Sequence, residues 1–232
     1  YQVRESAATP RNNVVRNDVV TFGISSGGAT INDSDSPNCV VCFTIKKSED
    51  AAWEKMDKNL YKRLNELAKE AGKELDAWAL EQTSLHAEGL DIKSIKYLDY
   101  YMPELVSLYV DDNDLTLLDV SGFAKLTRVY ARNNRIRNFN VREKNEMEIL
   151  LISNNELTSL PMDMMPSLST LECSNNSIEV LYPNACKYLS KLVCSGNSLT
   201  ELHLDQLSHL STLSISDNRI DAANFSMPAG NS

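Results

Sequence analysis

Apolar and polar residues follow one pattern that repeats six times between Leu105 and Ile220. Each copy contains one asparagine at the same place, and successive asparagines are always 21 residues apart. These asparagines are Asn113, Asn134, Asn155, Asn176, Asn197 and Asn218. A constant period without insertions predicts a solenoid, in which each coil buries its apolar face only by stacking on the next coil.

Within each copy, the apolar residues occupy fixed distances from the asparagine, which we call position N. They lie at N−8, N−5, N−3, N+2, N+5 and N+7, which around Asn113 are Leu105, Leu108, Val110, Leu115, Leu118 and Val120. The alternation at N−5 and N−3 predicts a strand with one buried face, and stacked coils place these strands in a parallel sheet about 4.8 Å apart. A second alternation at N+5 and N+7 predicts a mostly extended far side without a long helix.

The asparagine itself falls at the bend that follows the strand. A buried side-chain amide must be hydrogen-bonded, because leaving it unpaired costs about 1–3 kcal/mol. We therefore expect the six stacked amides to bind turn backbone groups of their own and neighbouring coils.

A capping helix is predicted over residues 48–72, because the first coil of a solenoid needs a cover. Ser48 is a suitable N-cap and Gly72 a suitable C-terminal stop. One apolar stripe runs between them at helical spacing: Trp53, Met56, Leu60, Leu64, Leu67 and Ala71. Binding of this helix to a membrane is the alternative, but its polar face mixes both charge signs.

Residues 1–47 form a separate N-terminal extension in this interpretation. Val19–Ile24 and Cys39–Ile45 are short β-branched and aromatic runs, separated by a loop rich in Gly, Ser, Asn and Asp. Such runs predict two strands, which can pair as a β-hairpin.

Residues 73–232 form the repeat domain, with about seven coils. The first coil is predicted to be degenerate, over 75–85, with Thr83 in the asparagine place. Its longer outer segment, 91–102, is expected to contain a helical turn that Pro103 ends.

The pattern LxxLxLxxNxLxxL with a 21-residue period resembles the leucine-rich repeat, in the short class common in bacterial surface and secreted proteins. The resemblance extends over residues 75–225 and departs from the pattern at Thr83, Met162 and Pro183. It implies an α/β solenoid with parallel strands on its concave face, an extended convex side and an α-helical N-terminal cap. It also implies secretion or surface display and binding of another macromolecule, usually a protein.

The exposed strand positions differ between coils, and they supply the candidate contact residues. Position N−4 holds two tyrosines and a leucine on consecutive strands, flanked by arginines, which is a combination typical of binding hot spots. The candidates are Tyr109, Asp111, Arg128, Tyr130, Arg132 and Leu151. Ordinary cross-strand packing, with Asp111 balancing Arg132, is the equally weighted alternative.

The five cysteines do not indicate a reactive site. Cys173 and Cys194 share position N−3 in adjacent coils, which favours buried free thiols over a strained disulfide. Cys186 is placed on the outer side of its coil without a partner. Cys39 and Cys42 form a CxxC inside an apolar strand, where structural cysteines are favoured over a redox or zinc site.

Composition excludes several further classes. The 232-residue chain has a net charge of −9 and a pI near 4.9, which does not suit a nucleic-acid binder. No apolar run approaches the ~20 residues of a membrane span. Asp33, Asp35 and Asn38 lack the glycine and distal glutamate of a calcium loop. No cofactor, metal or catalytic motif is predicted, and the start at Tyr1 leads us to expect a missing upstream segment.

Three functions are compatible with these features. The first is a non-enzymatic module that binds a protein through the concave face. The second is glycan binding, with Tyr109 and Tyr130 stacking on sugar rings. The third is substrate recognition for a larger effector enzyme, whose catalytic domain would require further chain.

Overall fold

The computed structural model describes residues 55–142 and 146–228, so the predicted hairpin and the CxxC lie outside the described residues. Within the described residues, three α-helices precede or interrupt the early coils: α1 (Lys58–Glu70), α2 (Leu75–Ala79) and α3 (Leu98–Tyr101). Eleven short strands are described: β1 (Ser84–His86), β2 (Ser107–Tyr109), β3 (Leu117–Asp119), β4 (Arg128–Tyr130), β5 (Asn138–Asn140), β6 (Ile149–Leu151), β7 (Thr170–Glu172), β8 (Lys191–Val193), β9 (Leu202–His203), β10 (Thr212–Ser214) and β11 (Phe225–Ser226). The solenoid predicted from the 21-residue period is confirmed.

Seven of these strands form one parallel sheet, in the order β1, β2, β4, β6, β7, β8 and β10. The 21-residue period fixes the register, so that equivalent positions pair directly: Leu108 aligns with Val129, and Val129 aligns with Leu150. All six apolar positions of the coil around Asn113 are fully buried. The buried side of the sheet and the stacked apolar positions therefore make one continuous core.

The asparagine ladder, formed by the six asparagines at position N, connects each coil to the one before it. Asn176 is representative: its Nδ2 donates to the Ile152 carbonyl of the preceding coil at 3.1 Å and to the Cys173 and Ser174 carbonyls of its own coil at 3.0 and 3.3 Å. Its Oδ1 accepts the Leu157 N–H of the preceding coil at 3.0 Å. The same contacts recur along the ladder, as the sequence predicts.

The far side of the solenoid is short and mostly extended. β3 pairs with β5, and β9 pairs with β11, both in parallel. Short 3-10 helices replace strands at Met162–Met164 and Pro183–Ala185, where methionine and proline occupy position N+7. A third 3-10 helix spans Ala222–Asn224. The far side therefore changes form where the repeat departs from its own pattern.

Helix α1 packs on the first coil, whereas the predicted N-cap Ser48 and the predicted stripe residue Trp53 lie outside the described residues. Asp57 is its N-cap, with Oδ1 accepting the Asn59 and Leu60 N–H groups, and its Oδ2 also accepts the Lys93 N–H of the first coil. Met56, Leu60 and Leu64 are buried as expected, and Ala68 is buried as well, whereas the predicted Ala71 is exposed. The helix ends at Glu70, two residues before Gly72, which has the left-handed φ of 68° that favours glycine.

The predicted register of the first coil is wrong. Residues 75–79 form helix α2 instead of a repeat strand, and Leu80 is 46% exposed rather than buried. The strand of this coil is β1, in which Leu85 aligns with Leu108, so the asparagine place belongs to Leu90 and not to Thr83. The predicted helical turn of the outer segment is present as α3, directly before Met102 and Pro103.

Candidate functional site

A single column of large side chains crosses the solvent side of the seven-stranded sheet at position N−4. The His86 ring stacks on Tyr109 with centroids 4.2 Å apart, and Tyr109 stacks on Tyr130 with centroids 4.3 Å apart. Both interplanar angles are 10°. Leu151 follows on β6, directly opposite Tyr130. We call these four residues the concave row.

The parallel register and the strand spacing place these side chains together. Neighbouring strands of a sheet lie about 4.8 Å apart, so rings at equivalent positions reach stacking distance without any bend of the backbone. His86 was absent from the sequence prediction because the first coil was assigned the wrong register. The paired residues Ser84–His86 and Ser107–Tyr109 show that His86 occupies position N−4.

The stacked rings expose their edges and cover each other's faces. Tyr109 has His86 on one face and Tyr130 on the other, and both tyrosines are half-buried. Burial, reinforced by the neighbouring Tyr109, raises the pKa of the Tyr130 hydroxyl above its ordinary value. The Tyr130 hydroxyl therefore remains protonated at neutral pH.

Asp111 and Arg132 form a fixed ion pair beside the row. The Arg132 Nη2 and Nε donate to Asp111 Oδ2 at 2.7 and 3.2 Å, and the Arg132 backbone N–H donates to Asp111 Oδ1 at 2.6 Å. Hydrogen bonding to Asp111 raises the pKa of the Arg132 guanidinium above its ordinary value. Asp111 is buried, so it holds Arg132 in place instead of offering a free carboxylate.

Further ion pairs surround the row. Arg128 contacts Glu148 at 3.2 Å on one side. Lys191 contacts Glu172 at 2.6 Å beyond Leu151, where Glu172 occupies the next N−4 position. The row therefore forms an apolar and aromatic centre with a charged rim, and Ile149 on β6 adds a half-buried apolar side chain that the candidate set omitted.

Position N−1 lies in the turn after the strand and serves the geometry of that turn. Asp112, Asn133, Asn154, Asn175 and Asp217 all have left-handed φ angles between 53° and 58°. Asparagine and aspartate tolerate this conformation better than other non-glycine residues. The Asn154 Nδ2 donates to Asn133 Oδ1 at 2.7 Å, and the Asn175 Nδ2 donates to Asn154 Oδ1 at 2.8 Å.

The three described cysteines are buried free thiols. Burial raises the pKa of Cys194 to about 12 and that of Cys173 well above its ordinary value. Cys186 directly follows the far-side 3-10 helix Pro183–Ala185, and it is buried. The expectation that it has no partner is wrong, because its thiol donates to the Met165 and Met162 carbonyls at 3.2 and 3.4 Å. These thiols are poor nucleophiles, since reactivity requires the thiolate.

Within the described residues, no group of three His, Cys, Asp or Glu side chains is arranged to hold a metal ion. None of the helices in the same part of the chain has the length and apolar composition needed to cross a bilayer. His203 is exposed on β9, and its Nδ1 lies 3.1 Å from Ser226 Oγ.

Solved structures with the same architecture identify the fold. Internalin C2 from Listeria monocytogenes superposes with a TM-score of 0.51 at 18% identity, covering 72% of this chain and 87% of that chain. The leucine-rich repeat domain of APL1B superposes with a TM-score of 0.50 at 20% identity, covering 60% of this chain and 48% of that chain. The chain has the leucine-rich repeat fold.

The functional domain of InlJ from Listeria monocytogenes, described as including a cysteine ladder, is a further structural match, with a TM-score of 0.46 and 21% identity. It covers 71% of this chain, which itself spans 46% of the length of that domain. No protein-family model and no curated protein matches the sequence. In the leucine-rich repeat fold, the seven-stranded sheet is the concave face, so the concave row lies where the sequence placed the candidate residues.

Proposed function

We propose that this leucine-rich repeat domain is a non-enzymatic binding module that recognises a protein through its concave face. The observation that carries the proposal is the concave row with its rim of ion pairs. Protein interfaces typically combine a desolvated aromatic centre with a polar rim, and tyrosine and arginine are enriched among the residues that contribute most to affinity.

The concave row and the neighbouring Arg132 are already ordered before any partner binds. Tyr109 and Tyr130 restrain each other by stacking. Asp111 accepts two hydrogen bonds from the Arg132 guanidinium and one from the Arg132 backbone N–H. Ordering a flexible side chain on binding costs roughly 0.5–1.5 kcal/mol. A partner that contacts these residues avoids most of that cost, which favours a dedicated binding surface over an ordinary sheet face.

The glycan alternative has less support from the ring geometry. Stacking on a sugar requires an open aromatic face, but both faces of Tyr109 are covered, by His86 and Tyr130. No observation favours the third alternative, recognition of a substrate for an attached catalytic domain.

We also propose that the protein acts outside the cell or on its surface. This part rests on the resemblance of the repeats to those of bacterial surface and secreted proteins. Fractionation of producing cells with an antibody against the chain tests it, and a purely cytosolic distribution would reject it.

Selection from a phage-displayed random peptide library tests the concave face. Peptides selected on the wild-type chain should bind the double variant Tyr109→Ala/Tyr130→Ala at least about tenfold more weakly. The matched control is Tyr182→Ala/Tyr188→Ala, which removes two tyrosines that are each 66% exposed and lie outside the row. Equal binding to both double variants would reject the concave row as the contact surface, and a positive glycan array with no peptide binding would favour the glycan alternative.

A further inference from the structure

We infer that the partner segment recognised by the concave row is acidic, and that it places a carboxylate over the Tyr130 hydroxyl between Arg128 and Arg132. This inference rests on the proposed function and adds the chemistry of the partner. It depends on which ends of the rim ion pairs face solvent.

Strand β4 and the two residues that follow it supply the centre of this site. Arg128, Tyr130 and Arg132 lie at alternate positions, so all three project from the same face of the sheet. Both guanidinium groups are close enough to Tyr130 to lower the pKa of its hydroxyl, against the larger raising effect of burial. The Tyr130 and Tyr109 hydroxyls also hydrogen-bond to each other, which uses one of their two hydrogens. A carboxylate above the ring edges would therefore meet the one phenolic O–H that this pair leaves free and two cations.

Arg132 keeps donors for this role after binding Asp111. A guanidinium has five N–H donors, and the Asp111 side chain uses only the Nε and one Nη2 hydrogen. Arginine suits carboxylates because its planar fork matches their geometry. The fixed position of Arg132 means that a partner carboxylate does not have to order it.

In most of the ion pairs near the row, the cation faces solvent and the carboxylate lies beneath it. The Arg132 side chain is 42% exposed against 12% for Asp111, and Lys191 is 42% exposed against 23% for Glu172. The pair of Arg135 and Asp114 follows the same order, with 66% and 33%. An approaching partner meets the cations first, although the whole chain carries a net charge of −9.

Three exposed carboxylates oppose this arrangement. Glu148 is slightly more exposed than its partner Arg128, at 50% against 42%. Asp112 is exposed beyond Arg132, and Glu88 lies 2.9 Å from the His86 Nδ1. Glu148 is one position before β6, and Asp112 is in the turn, where its Oδ1 accepts the Asn133 amide at 2.7 Å. Glu88 belongs to the first coil, whose strand β1 is two strands away from β4. None of the three is at position N−4, which Tyr130 holds on β4.

The composition of peptides selected from the random library tests the inference. Only peptides that lose binding to Tyr130→Ala are sequenced, and we expect them to be enriched in Asp and Glu. Because the net negative charge of the chain attracts basic peptides at long range, this enrichment is opposite to the non-specific trend.

The matched variants separate this site from general electrostatics. Asp111→Asn/Arg132→Gln removes one ion pair without changing the net charge and should weaken such peptides about tenfold. The control, Arg137→Gln/Glu156→Gln, removes another ion pair, with an N···O distance of 2.7 Å, that lies beyond the turn and away from the row. It should leave the affinity unchanged, and far-ultraviolet circular dichroism verifies that both variants fold.

Each outcome decides one level of the proposal. Tyr130-dependent peptides without acidic enrichment, or equal affinities for the two ion-pair variants, would overturn the acidic partner and leave the proposed function intact. Failure to recover any Tyr130-dependent peptide would reject the proposed function and this inference together.

Discussion

Replacing Asn176 by alanine should destabilise the whole chain more than any single change on the sheet surface. The side chain binds two groups of the preceding coil: its Nδ2 donates to the Ile152 carbonyl at 3.1 Å, and its Oδ1 accepts the Leu157 N–H at 3.0 Å. Alanine leaves both without this partner, in the space between two coils that water does not readily enter.

The magnitude follows from the Leu157 N–H, because the Ile152 carbonyl still accepts the Asn155 Nδ2 at 3.0 Å in the variant. An unsatisfied buried donor costs about 1–3 kcal/mol. Asn176 is only partly buried, which favours the lower half of that range, about 1–2 kcal/mol. The Ser174 carbonyl adds little, because it also accepts the Asn154 N–H at 2.8 Å.

Urea unfolding of the full chain, followed by circular dichroism, measures the effect. Ser174→Ala is the matched control, since the Ser174 Oγ is buried two residues away and has no hydrogen-bond partner. Its free energy of unfolding should stay within about 0.5 kcal/mol of the wild type. Asn155→Ala should behave like Asn176→Ala, because its amide makes the equivalent contacts.

Asn176→Asp distinguishes hydrogen bonding from loss of volume. Aspartate keeps the acceptor for the Leu157 N–H, but it places a carboxylate oxygen against the Ile152 and Cys173 carbonyls, where the amide donates. At neutral pH it should destabilise the chain at least as much as alanine does. Equal unfolding midpoints for Asn176→Ala and Ser174→Ala would refute the ladder as a source of stability.

Three further outcomes are expected. Asn154→Ala should lower the free energy of unfolding by about 1–2 kcal/mol more than Asn154→Gly, because glycine adopts the φ of 58° without strain and alanine does not. Equal urea unfolding midpoints for the two variants would contradict this. Cys173 and Cys194 should resist alkylation at pH 8 in the native state and react only in urea, because burial raises the pKa of both thiols. Peptide mass mapping measures the labelling, and rapid labelling of either thiol in the native state would refute its burial. Asp57→Ala should lower the free energy of unfolding by about 1 kcal/mol, because α1 loses its N-cap. Hydrogen exchange should show faster opening of α1, and unchanged protection would refute the capping role.

The sequence was most informative where one residue type had one structural task. Asparagine at position N contacts backbone groups in two coils, and few other side chains supply both donor and acceptor at that distance. Its period therefore fixed the register of six coils, and Met162 and Pro183 correctly marked where the far side changes form.

The prediction of the first coil was wrong because this coil has no asparagine at position N. Leu90 replaces the asparagine, while the run 75–85 mimics the repeat but forms helix α2 in its first half. Because of this error, His86 was not among the predicted contact residues. Its place in the concave row follows from the pairing of β1 with β2 and not from the local sequence pattern.

The site residues show a second limit. Tyr109, Tyr130 and Leu151 were placed in one column from their spacing, and the register puts them there. Whether a carboxylate such as Asp111 is free or buried depends on the rotamer of Arg132 on the next strand, which spacing does not reveal. Their role in binding stays a prediction.

The asparagine contacts join neighbouring coils in the same way at every junction, which makes the repeat domain modular. In the described coils, the asparagine amide of one coil binds backbone groups of the coil before it, so duplication or excision of one 21-residue unit leaves junctions of the same kind. Unequal recombination in whole units could therefore lengthen the scaffold or exchange its surface while the core stays intact. A leucine-rich repeat gene can thus acquire a new binding surface by duplicating one repeat unit, because the buried positions that determine the fold are copied with it.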